Sequence, residues 1–80
     1  MTKQVRLVHD PIGLQIIIGD DDGVIGITQS QAKDLMIHYD KSESKYILRY
    51  YAFSAIIIEE VAIELIRFGA NKAENVPIAN

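Results

Sequence analysis

The side chains best suited to chemistry in this chain lie between positions 38 and 50. Lys41, Lys45 and Arg49 follow one another at intervals of four, with Tyr46 and Tyr50 interleaved. On a helix the three cations share one face, where they could hold a phosphate or a carboxylate-rich protein surface while the tyrosines stack against it. Cations near a helix start oppose its macrodipole by about 0.3–1 kcal/mol each, and sequences tend to break such local rules where function asks for it. The plainer reading is that they balance Asp40, Glu43 and the acidic residues of a partner.

Other reactive groups offer less. His9 and His38 are the two histidines. His38-Tyr39-Asp40 sets an imidazole near a carboxylate, but this is not the spacing of a helical metal pair, and His9 falls on a different element, so three or four converging ligands cannot be assembled. Asp20, Asp21 and Asp22 are adjacent, whereas a calcium loop spreads its oxygen ligands over about 12 residues and ends in Glu. They read as a solvated turn that also discourages edge pairing. Ser30, Ser42, Ser44 and Ser54 lack a Gly-x-Ser-x-Gly context and suit caps or close packing. No catalytic residue, metal or cofactor is expected.

Composition narrows the class further. Eighty residues make one domain with a marginal core unless oligomerisation, a metal or disulfides add to it. The absence of cysteine removes disulfides and thiolate sites, leaving oligomerisation as the means of burying more surface. A net charge of −3, from 11 acidic and 8 basic residues, argues against a general nucleic-acid binder. The start, MTKQVRLVHD, lacks the apolar core of a signal peptide, and Arg49, Glu59, Glu60 and Glu64 interrupt the longest apolar stretch, so no membrane span is expected and the cytoplasm is the expected compartment. The residues show no internal repeat.

The elements that must position these groups follow from periodicity. Lys3 to His9 alternates in the manner of a half-buried strand with Val5 and Leu7 inward. Asp10-Pro11-Ile12-Gly13 supplies turn chemistry, Leu14 to Ile18 is a central strand, and Val24 to Ile27 returns as a third. Thr28 and Gln31 have capping-box spacing ahead of Ala32, Leu35, Met36 and Tyr39, which form one stripe of a short helix. From Lys45 to Gly69 there is no proline, the first glycine is Gly69 itself, and Ile47, Tyr51, Ser54, Ile58, Val61, Leu65 and Phe68 recur at spacings of four and three. This predicts one long helix, roughly 36 Å in length, that starts near Asp40–Ser44 and stops at Gly69. A competing reading makes Lys45 to Tyr51 a strand, because Tyr, Ile and Leu favour strands, with a shorter helix from about Phe53.

The expected fold is therefore α+β: a three-stranded antiparallel meander, a short helix and a long carboxy-terminal helix (βββαα) in two layers, spanning residues 1–69. Residues 70–80 are expected to form a mobile tail unless they dock on a neighbouring copy. Ile56 and Ile63 fall among the charges of the long helix, which predicts a helix-mediated oligomer interface of Ile56, Ile63, Ala52, Glu60 and Arg67. The leading functional expectation is a small, non-catalytic, oligomeric interaction protein, of the kind that a virus or mobile element uses to bind and block a host protein. The second is an oligomer that holds a small anionic ligand such as a nucleotide between subunits through Lys41, Lys45, Arg49, Tyr46 and Tyr50. An enzyme or enzyme subunit comes third.

Overall fold

The structure, a computed structural model, describes residues 4–19 and 23–78. The aspartate run at 20–22 lies outside the described residues. In chain order come β1 (Val5–Asp10), β2 (Gly13–Ile18), β3 (Gly23–Thr28), a 3-10 helix (Gln29–Asp34), β4 (Leu35–Asp40), β5 (Lys45–Tyr50), β6 (Phe53–Ile57), α1 (Glu59–Phe68) and β7 (Asn71–Lys72). The strands make one sheet of order β1-β2-β3 and a second of order β6-β5-β4-β7. All neighbours are antiparallel except β4 and β7.

The amino-terminal meander is present, but the βββαα arrangement is not. The described chain is only 22% helical and holds a single helix of seven or more residues. Leu35–Asp40 and Lys45–Ile57, expected to be helical, are strands with a two-residue turn inside the second stretch. The physical reason is that two periods compete in these residues. Leu35, Ile37 and Tyr39 alternate inward, as do Tyr46, Leu48 and Tyr50, and then Phe53, Ala55 and Ile57. Aromatic and β-branched side chains fit a pleated, half-buried surface better than a helix. The turn between β5 and β6 carries no glycine, because Tyr51 itself adopts the left-handed conformation at φ 53°. The helix begins only at Glu59, where two glutamates occupy the first turn and suit the positive end of the macrodipole. Gly69, at φ 130°, ends it with its amide bonded to the carbonyls of Leu65 and Ile66.

The repeat that the residues do not show is present in the backbone. Val5–Asp10 and Leu35–Asp40 start thirty positions apart, as do β3 and β6, and as do the 3-10 helix and α1. Registers agree as well: Val5 faces Ile18 as Leu35 faces Tyr50, and Leu14 faces Ile27 as Tyr46 faces Ile57. Thr28 and Ile58, the residues before the two helices, have nearly the same dihedrals, φ −81° and ψ 165° against φ −83° and ψ 163°. The chain is thus two strand-strand-strand-helix units in tandem. Counterparts are identical at Asp10/Asp40, Ile27/Ile57 and Ala32/Ala62, and matched in burial at Val5/Leu35, Leu14/Tyr46 and Ile16/Leu48.

One core joins the units. Leu14, Ile16, Leu35, Ile37, Leu48 and Leu65 are fully buried, and each such side chain is worth about 1.5–3 kcal/mol of burial. The inward face of α1 (Val61, Ala62, Leu65) closes the core, the helix lying against β1 of the first unit and β5 of the second, while β1 and β6 lie side by side. Residues 70–78, set apart above as a tail, pack on the same body: Ala70 and Val76 are buried, Asn71–Lys72 adds a parallel strand to β4, and Asn75 Nδ2 donates to the Tyr39 carbonyl at 2.9 Å. Among the described residues no helix is long and apolar enough to cross a membrane.

Candidate functional site

Where β4 ends, β5 begins and β6 ends, the second sheet opens into a cleft of about 470 Å³. Tyr39 and Tyr46 face each other across the β4–β5 ladder with ring centroids 4.9 Å apart, tilted at 49°. The Tyr46 ring is buried, and its hydroxyl donates to Glu59 Oε2 at 3.1 Å. Burial first, and then the bond to Glu59, push the Tyr46 hydroxyl above its ordinary pKa of 10.0, so it stays protonated and donates. Glu59 is the first residue of α1, where the helix dipole favours its negative charge.

The opposite lip is formed by Ser44 and Lys45. Asp40 shapes this turn. Its Oδ1 accepts the amides of Ser42 at 3.0 Å and Glu43 at 3.3 Å and the Ser42 hydroxyl at 2.7 Å, which together hold its carboxyl below the usual 3.8. The Asp40 carboxylate therefore closes a hairpin, where the sequence pattern predicts the start of the long helix near Asp40–Ser44. Lys45 Nζ lies 3.3 Å from Glu43 Oε1, an exposed pair of small energetic weight. Ile56, Ile57 and Ile58 complete the lining; Ile57 is buried, whereas Ile56 and Ile58 are 38% and 54% exposed. An aromatic and aliphatic lining with a carboxylate at one side and an ammonium at the other suits binding of an apolar group with polar edges.

The structure gathers Lys45, Tyr46 and Ile56 from the residues singled out in the sequence. Lys41 is exposed in the β4–β5 turn, and Arg49 is exposed on the outer face of β5, opposite Met36 and Ser54. At strand rise Arg49 is roughly 13 Å along from Lys45, so these cations do not converge as they would on a helix. Tyr50 packs on Tyr51, ring centroids 4.7 Å apart. The continuous helical stripe proposed for self-association does not exist: Ala52 lies in a turn and Ile56 in β6, ahead of the helix, while Glu60, Ile63 and Arg67 are on α1. Sequence reasoning missed Tyr39, Ile58 and Glu59. A strand reading of Ala55 to Ile57 would have found Ile58, since alternation that buries Ala55 and Ile57 leaves Ile56 and Ile58 outside.

Among the described residues no group of three or more His, Cys, Asp or Glu side chains is disposed to hold a metal ion. The chain matches no protein-family model, no curated protein and no solved structure. Nothing found supports a viral source or an inhibitory role, and both expectations are withdrawn together with the helical fold that accompanied them.

Proposed function

We propose that this chain is a small non-catalytic binding protein that pairs with a second copy of itself through the cleft at the open end of the second sheet. The observation that carries the reading is the exposure of Ile56 and Ile58 beside the Tyr39–Tyr46 pair, with Lys45 on one lip and Glu59 on the other. An apolar floor with a charged rim is the anatomy of a protein interface. The rim is also self-complementary, since a two-fold axis through the isoleucines brings Lys45 of each copy toward Glu59 of the other. The contact extends along the outer face of the sheet, where the cross-strand row Ile56, Ile47 and His38 continues the apolar strip and Arg49 borders it. Burial there adds to a core that is small for a free-standing domain.

Light scattering or sedimentation on the full chain tests this. A dimer is expected, and Ile56→Asp with Ile58→Asp is expected to yield a folded monomer, its folding checked by urea denaturation. Lys45→Glu and Glu59→Lys should each weaken the dimer, and the two together should restore it. A wild type that stays monomeric at high micromolar concentration, or a dimer indifferent to all four changes, overturns the proposal.

A further inference from the structure

Where the first unit meets the end of α1 lies another cleft, about 350 Å³ in volume and lined by His9, Gln29, Glu64, Arg67 and Phe68. His9 stands where Tyr39 stands in the second unit, and Gln29 where Glu59 stands. The chemistry is reversed. An amide replaces the carboxylate at the helix start, and Arg67 brings a guanidinium from the last turn of α1. We propose that this cleft is a second binding site, for a monoanionic carboxylate carried on a flat apolar body such as an aromatic ring.

The geometry assigns each residue a part. Gln29 Nε2 donates to the Phe68 carbonyl, tying the 3-10 helix to the end of α1 and fixing the wall between them. His9 Nε2 lies 3.4 Å from Glu64 Oε2, and the His9 ring meets Phe68 edge to face with centroids 6.4 Å apart at 64°. Two residues of one helix therefore contact the imidazole, whose side chain stays 60% exposed and open to a ligand. Arg67 taken alone is explained by the helix dipole, which favours a cation in the last turn. Its convergence with a histidine from β1 is not explained that way.

A guanidinium presents paired donors that match a planar carboxylate in bidentate fashion, and Phe68 offers a surface on which an aromatic body can lie. Glu64 sets the charge preference, since its carboxylate repels a dianion about twice as much as a monoanion. This site is independent of the self-pairing cleft, so Ile56→Asp with Ile58→Asp leaves it unchanged.

The test is an amide NMR titration of the full chain with sodium benzoate and, separately, with inorganic phosphate. Saturable benzoate shifts at His9, Gln29 and Phe68 are expected, with affinity reduced about tenfold or more in Arg67→Ala, the loss of a charge-assisted bidentate bond. Arg67→Lys, which keeps the charge and the helix, is expected to recover only part of that affinity. Absence of benzoate shifts at these residues, or binding that Arg67→Ala leaves intact, overturns the proposal. Phosphate binding as tightly as benzoate overturns the assignment to a planar monoanion.

Discussion

Each unit closes its first hairpin on an aspartate, yet the two closures are made of different materials. Asp10 Oδ1 accepts the amides of Ile12 at 3.0 Å and Gly13 at 2.8 Å across a two-residue turn. Asp40 spans a four-residue turn and recruits the Ser42 hydroxyl besides two amides, with Ser44 in a left-handed conformation at φ 56°. At the second hairpin the contrast recurs: Gly19 takes φ 60° in the first unit, and Tyr51 takes φ 53° in the second. The first unit thus meets its backbone demands with glycine, and the second meets similar demands with side chains. What the two share is strand order and register, so the repeat lies in geometry and not in residue identity.

Three changes would break or sharpen that equivalence. The largest effect is expected from truncating matched core positions, Ile16→Ala in the first unit and Leu48→Ala in the second, both fully buried. Each should cost about 2–5 kcal/mol in urea unfolding and leave a single transition. Two separable transitions, or one variant near wild type, would mean that the halves do not share one core.

Next comes Gly13→Ala, because an added Cβ would sit 2.1 Å from the Ile27 carbonyl oxygen. A loss of about 1–3 kcal/mol is expected. At the counterpart Lys45, where β6 has ended and no strand residue stands opposite, Lys45→Ala should stay within about 0.5 kcal/mol. Equal costs at the two sites would show that the extra residue of β3 does not crowd β2.

Smallest is Tyr46→Phe, which removes the bond to Glu59 and should cost about 1 kcal/mol, whereas its counterpart Leu14 has no such bond to lose. The tyrosine also carries a pH signature. Its folded pKa lies above the unfolded value of 10.0, so its contribution is complete below pH 10 and fades as pH rises through the folded value. A pH–stability profile of Tyr46→Phe should therefore lack part of the wild-type alkaline decline, and an unchanged profile would contradict the raised pKa that burial and then the Glu59 bond produce.

The first unit was legible in the sequence because its signals agree: alternation in Val5 to Leu7, a Pro-Gly turn, and glycines on either side of the second hairpin. The second unit hid behind a coincidence. Its inward residues alternate, but Ile47, Tyr51, Ser54, Ile58 and Val61 also fall at four-three spacing, and no glycine or proline marks the turns at Ser44 and Tyr51. When two periods fit, β-branched and aromatic content arbitrates, and Tyr46 to Tyr51 with Phe53 to Ile58 favours strands. The site was partly legible for the same reason. Lys45, Tyr46 and Ile56 stand out by residue type alone, whereas Tyr39 and Glu59 join the cleft only through strand pairing and the start of α1. Gly69 stopped the helix as its sequence context predicts, since only the start of that helix was misplaced.

The link between the two meanders is the 3-10 helix, held by the burial of Ala32 and by two polar clamps: Gln29 to the Phe68 carbonyl and Asn71 Nδ2 to the Lys33 carbonyl at 2.7 Å. Each meander completes its own ladders, so a chain whose link straightens can hand one meander to a neighbour and receive the same meander back with its ladders intact. Reciprocal swapping of this kind costs little beyond those clamps, and at high concentration the molecule's hinge, more than its core, decides whether it stays a closed unit.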